Sequence, residues 1–145
     1  MPAYRYRIVN VFAETPLAGN PLCVFEDATG LEDATMQALA LQFNLSETTF
    51  VLPPTTGGAN ARVRIFTPTF EMPFAGHPTL GTAHVVRALR GTGNRVNLEM
   101  KAGIIPVEAD GDRWTLQANA PTWHTPAVSR PQLADMLGIA AEDVL

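Results

Sequence analysis

The sequence predicts an α+β fold, and three observations carry the prediction. Segment 31–43 holds an apolar stripe at helical spacing, and segment 78–90 is bracketed by helix start and stop residues. Several shorter segments alternate or run apolar at strand length. The resulting order is strand, helix, strands, helix, strands, rather than the regular alternation that builds a parallel sheet.

Tyr4–Phe12 opens the chain as a strand candidate, with Tyr4, Tyr6, Ile8 and Phe12 expected on one face and Arg5 and Arg7 on the other. Asn10 interrupts that face. Gly19-Asn20-Pro21 closes a turn-rich loop, and Leu22–Phe25 reads as a second strand. In Leu31–Phe43, residues Met36, Leu39, Ala40 and Phe43 form one stripe, and Asn44 suits a left-handed stop. Ser46–Leu52 and Ala61–Phe66 alternate at period 2 and are expected to pair antiparallel. Thr67–Gly76 reads as a loop. Pro78 suits the first position of the second helix, which makes His77 its N-cap, and Gly91 ends it. Val96–Met100, Ile104–Ala109 and Trp114–Asn119 are strands joined by Ala102-Gly103 and by Asp110-Gly111-Asp112. Residues 1–120 make one domain. Residues 121–145 are a proline-rich link and a short helix, with a Ser129/Gln132 capping box, apolar Leu133, Met136 and Leu137, and a stop at Gly138.

Composition narrows the function. At 145 residues the chain can bury a core, and 46% hydrophobic against 17% charged residues is globular usage. The net charge of −4 gives no basic field for nucleic acid. The single cysteine, Cys23, excludes an internal disulfide and reads as a buried hydrophobe. His77, His84 and His124 lack ligand-like neighbours, so no metal site is expected. MPAYRYRIVN does not resemble a signal peptide and no apolar run is of membrane-spanning length, so the expected location is the cytoplasm, with no membrane partner.

Two places could carry chemistry. In Phe74–Ala83, a glycine before a helix start offers backbone N–H groups to a carboxylate or phosphate, with Gly76, His77, Pro78 and Thr79 as the binding set. His77 could hydrogen-bond the same ligand or pass a proton. The same pattern also fits an ordinary helix start. Glu47 lies at a helix-to-strand junction between apolar neighbours, where a carboxyl group is hard to ionise and could act as base or acid; a solvated edge glutamate has the same local sequence. Glu71 could orient His77, although a solvated role suits it better. A turn role suits Asn20, and Trp114 and Trp123 read as core and linker aromatics.

Taken together the motifs resemble the N-terminal half of the PhzF-like phenazine-biosynthesis isomerase family, on the diaminopimelate-epimerase-like fold. The resemblance rests on Val11-Phe12 with Pro16–Pro21, on Asn44–Val51, on Arg64–Pro68 and on Glu71–Ala83. It implies one βα half of that fold, a mixed, mostly antiparallel sheet wrapped around a central helix. It implies an isomerase without metal or cofactor, acting on a small carboxylate, as characterised members act on dihydro-hydroxyanthranilate. Glu47 falls on the family's catalytic glutamate and His77 on its GHP histidine, with Gly76 beside it. An acidic residue is common in the family where Asn10 stands.

A full member is about twice as long, and its second half supplies an aspartate and a serine to the site. Its C-terminal segment also returns to the first domain. The resemblance therefore implies an incomplete site here and an unpaired edge or exposed apolar surface. The missing half could be the rest of a longer enzyme, a separate chain, or a second copy in a homodimer. A non-catalytic carboxylate-binding or assembly module is the alternative function. A racemase with two facing thiols is disfavoured by the lone Cys23.

Overall fold

The structure is a computed structural model, and it describes residues 3–144. Eight strands form one sheet: β1 (Tyr6–Val11), β2 (Asn20–Phe25), β3 (Thr48–Leu52), β4 (Ala61–Phe66), β5 (Glu71–Met72), β6 (Arg95–Met100), β7 (Gly103–Asp110) and β8 (Arg113–Leu116). Their order is β1-β2-β3-β4-β6-β7-β8, with β5 paired to β4. β3 and β4 pair antiparallel, as the alternation predicts. The β2–β3 and β4–β6 pairs are parallel and the other pairs antiparallel, so the sheet is mixed and mostly antiparallel.

The sheet wraps around α2 (Gly76–Arg90), which touches every long strand from β1 to β8. Ala83, Val85 and Val86 of this helix share a buried core with Leu22, Val24, Val51, Val63, Ile65, Val96, Leu98, Ile105 and Val107. On the opposite face, α1 (Asp33–Phe43) packs Met36 and Ala40 against Cys23, Phe25, Phe50, Leu52 and Phe66. Asn44 ends α1 in the left-handed conformation, as its sequence position predicts. Because both faces of β3 are covered, all five of its residues are buried. Burial pushes the Cys23 thiol up to about 12, so it is neutral and serves as packing.

Parity fixes what each strand shows to α2. Leu22 and Val24 of β2 and Val51 of β3 join the α2 core, while Cys23, Phe25, Phe50 and Leu52 join the α1 core. Continuing the period of two outward carries Asn20 and Glu47 to the α2 side. The register supports this, since Val11 lies opposite Asn20 and Val9 opposite Leu22.

The structure corrects several expectations. On β1 the face turned to α2 is Val9 and Val11, and Tyr6, Ile8 and Phe12 are exposed. Tyr6 instead covers Phe25 and Phe43 at the edge of the α1 layer. β5 interrupts the expected 67–76 loop, β8 stops at Leu116, and Met136 and Leu137 of α3 (Arg130–Leu137) are exposed, with Ala134 buried. Gln132 accepts from the Ser129 N–H and hydroxyl at the start of α3, and a 3₁₀ turn at Ala141–Asp143 packs on that helix.

β1 and β8 are the two ends of the sheet. Between them runs an open groove of about 860 Å³ over the Leu80–His84 side of α2, walled by Val9, Val11, Phe12 and Trp114. Asn10, Glu14, Asp112 and Arg113 add polar groups to its lining. His84 is exposed there and meets Trp114 edge-on at 5.9 Å. Trp123, in the link, is exposed.

Gly19 makes the sharpest demand on sequence. Its φ is +79°, and a Cβ there would run into the Val11 carbonyl oxygen. Gly58 has a similar φ of +85° but open space around it. Gly19→Ala is therefore expected to lose more than the roughly 1–2 kcal/mol of a left-handed L-residue, and Gly58→Ala no more than that. Urea unfolding of both variants checks this; equal losses would show that the Val11 contact relaxes freely.

Candidate active site

The site is built where three elements converge: the start of β2, the junction before β3, and the first turn of α2. α2 begins one residue earlier than its proline suggests. Ala75 is the N-cap, Gly76 and His77 are the first two helical residues, and Pro78 is the third. His77 is thus inside the first turn rather than capping it. The first intrahelical bond runs from Thr79 N–H to Ala75 O. Pro78 has no N–H, so the donors left at this helix end are those of Gly76 and His77. Gly76 is exposed, and a Cβ there would meet open space.

His77 is drawn into the sheet because α2 lies close on β1 and β2. Gly81, one turn on, makes that approach possible: a Cβ there would stand 2.8 Å from Leu22 Cδ2 and 2.9 Å from Val11 Cγ2. Thr82 Oγ1 donates to Thr49 Oγ1 at 2.9 Å and pins the helix to β3. The His77 ring then sits between two polar groups on the α2 side of the sheet. Its Nε2 is 3.3 Å from Glu47 Oε2, and its Nδ1 is 3.3 Å from Asn20 Nδ2. Ser46 Oγ donates to Asn20 Oδ1 at 3.4 Å. The side chains of His77 and Glu47 are 9% and 16% exposed, so the pair is recessed but reachable. Glu47 Oε2 and His77 Nε2 are both buried atoms, and their approach to each other at 3.3 Å is too poorly aligned for a strong hydrogen bond.

Burial lowers the His77 pKa below the ordinary histidine value, against the opposing pull of the Glu47 charge. The ring is therefore neutral at pH 7. The arrangement offers one recessed carboxylate, one neutral imidazole and two backbone donors at the positive end of a helix. That set can anchor an anionic group and move a proton beside it.

The structure brings Glu47, His77 and Gly76 to one place. Pro78 and Thr79 are buried behind them, and the Thr79 hydroxyl donates to Ala75 O at 2.6 Å. Glu71 neither reaches His77 nor stands in solvent. It receives two hydrogen bonds from Arg64, at 2.8 and 2.7 Å, and one from Lys101 at 2.6 Å. Arg64 chiefly holds the Glu71 carboxyl below its ordinary range. The cluster ties β4, β5 and the turn between β6 and β7 together. Asn20, for which the sequence suggests only a turn role, stands beside His77. Its signal was its place two residues before Leu22, on the same strand face. Among the described residues, no group of three or more His, Cys, Asp or Glu could hold a metal ion, and no helix is long and apolar enough to cross a membrane.

Residues 9–144 match the family described as phenazine biosynthesis-like protein. An isomerase of Pasteurella multocida, itself uncharacterized, is 43% identical over 97% of this chain and 49% of its own. A trans-2,3-dihydro-3-hydroxyanthranilate isomerase of Pseudomonas fluorescens is 44% identical over 94% of this chain and 50% of its own. Among solved structures, a predicted epimerase of Pseudomonas aeruginosa superposes with a TM-score of 0.79 at 36% identity, covering 98% of this chain and 53% of that one. A hydroxyproline epimerase of Agrobacterium vitis, 13% identical with a TM-score of 0.50 over 68% of this chain and 38% of its own, shares the fold. The chain spans about half the length of the curated relatives it matches.

Proposed function

The chain belongs to the phenazine biosynthesis-like protein family, and from that membership and the Glu47–His77 geometry we propose that the intact protein is an isomerase that shifts a proton on a small carboxylated substrate. The observation that carries the proposal is the recessed Glu47 carboxylate 3.3 Å from His77 at the start of α2.

In this reading the substrate carboxylate accepts from the Gly76 and His77 N–H groups, where the helix end favours negative charge. Glu47 takes a proton from a carbon near that anchor, and the electron pair left behind enters the adjoining conjugated system. The Glu47 carboxylic acid, whose proton exchanges with solvent, then delivers a proton to a second carbon of the same system. Composition is unchanged and the carboxylate is regenerated, so the reaction as written calls for no cofactor. A ring acid like trans-2,3-dihydro-3-hydroxyanthranilate is the substrate class, by similarity to the Pseudomonas fluorescens relative.

The second wall of the site comes from outside these residues. Residues 1–120 form the half that holds Glu47 and His77, and 121–145 lead into the other half. That half belongs to the same polypeptide, to a separate chain, or to a second copy. The alternative, a carboxylate-binding module without turnover, draws on the groove between β1 and β8, whose walls include neither Glu47 nor His77.

Incubation of the intact protein with trans-2,3-dihydro-3-hydroxyanthranilate in heavy water tests the proposal. Isomerised product carrying solvent deuterium is expected. Binding without isomerisation or exchange would favour the module instead.

A further inference from the structure

We infer that Asn20 is a positioning residue: its side-chain amide donates to His77 Nδ1 and thereby holds the imidazole as the Nε2–H tautomer, with that proton aimed at Glu47. The inference deepens the proposed reaction and rests on it for its catalytic meaning, though not for its geometry.

A neutral imidazole has one donor and one acceptor nitrogen, and the neighbours decide which is which. An ionised Glu47 can only accept. With the proton on Nδ1, the Nε2 lone pair would face the Glu47 carboxylate at 3.3 Å, acceptor against acceptor. With the proton on Nε2, that contact is attractive, and Nδ1 becomes an acceptor. Asn20 Nδ2 stands 3.3 Å from Nδ1 as the matching donor. The amide is turned that way by Ser46, whose hydroxyl donates to Asn20 Oδ1. Ser46 is the residue before Glu47, so the chain of contacts closes on itself: Ser46, Asn20, His77, Glu47. Glu47 is the charged group facing the ring, and Asn20 and Ser46 supply the polar contacts from β2 and from the turn before β3.

Two features make the contact specific. Asn20 is the first residue of β2, held opposite Val11 by the β1–β2 register and placed by the tight turn at Gly19. His77 is held within the first turn of α2, where Gly81 lets the helix approach the sheet. The backbone therefore fixes both partners. In the proposed reaction His77 would act as a neutral donor, presenting Nε2–H to Glu47 and to the substrate space beside it.

Long-range 15N–1H NMR of the histidine-labelled 145-residue chain reads the tautomer directly. Above the His77 pKa, the protonated nitrogen of His77 is expected to be Nε2. Asn20→Ala is expected to give a mixture of tautomers. Asn20→Asp places a carboxylate against Nδ1, which favours the imidazolium and is expected to raise the His77 pKa by about 1 unit or more. In the intact protein, Asn20→Asp should move the pH profile of kcat/KM in the same direction. Protonation at Nδ1 in the parent chain overturns the inference even if neither variant folds. So does a His77 titration that Asn20→Asp leaves in place. An inactive intact protein that still shows the Nε2–H tautomer would sink the proposed reaction and leave this inference standing.

Discussion

Glu47→Gln lowers the isomerase activity of the intact protein by about 10²–10⁴-fold and leaves its folding unchanged. That range corresponds to about 2.7–5.4 kcal/mol of lost transition-state stabilisation. The amide keeps the size and most of the polarity of the carboxylate, and its oxygen can still accept from His77 Nε2. It cannot take a proton from carbon. The Glu47 Oε2 contact is the 3.3 Å approach to His77 Nε2, which the amide oxygen can keep, so little structural contact is lost. Steady-state rates with circular dichroism and urea unfolding as controls check the result. A variant as active as the parent would remove Glu47 from the reaction, whereas an unfolded variant would show that Glu47 is structural.

Phe50→Ala has the largest expected effect on stability, a loss of about 3–5 kcal/mol. Phe50 is fully buried. Its ring stacks on Phe25 at 4.8 Å and 15°, and meets Phe66 edge-on at 5.4 Å and 89°. Truncation leaves a cavity that the α1 side of the sheet cannot easily close, because β3 is held on both sides by paired strands. A domain of this size has about 5–15 kcal/mol of total stability, so much of it would be lost. Phe50 also lies three residues after Glu47, in the strand that sets its direction. Urea unfolding of the 145-residue chain checks the figure. A loss near 1 kcal/mol would mean that the aromatic cluster repacks.

Much of this was legible in the sequence, for reasons that particular residues show. The α1 stripe and its Asn44 stop are local patterns, and so is the alternation that pairs β3 with β4. Glu47 and His77 carry chemistry in their residue types and motif positions, so both were visible as candidates. The errors arose where local pattern admits two answers. In Tyr6–Phe12 both parities hold apolar residues, and the larger aromatics suggest the inner face. Gly81 packs closely against Val9, Val11 and Leu22, a spacing that suits the smaller valines of β1 on the inner face. Pro78 is compatible with more than one position in a first turn, which shifted the expected start of α2. Asn20 became informative only once β2 was laid beside α2. Glu71 found Arg64 and Lys101 through strand pairing that no local spacing reveals.

The central claim is that one carboxylate works beside an anion anchored at the start of α2. A crystal structure of the intact protein with 3-hydroxyanthranilate, an unreactive aromatic analogue, tests it most directly. The ligand carboxylate is expected on the Gly76 and His77 N–H groups, with a ring carbon about 3–3.5 Å from a Glu47 oxygen. A ligand seated in the groove between β1 and β8, with Glu47 facing only water, would contradict it.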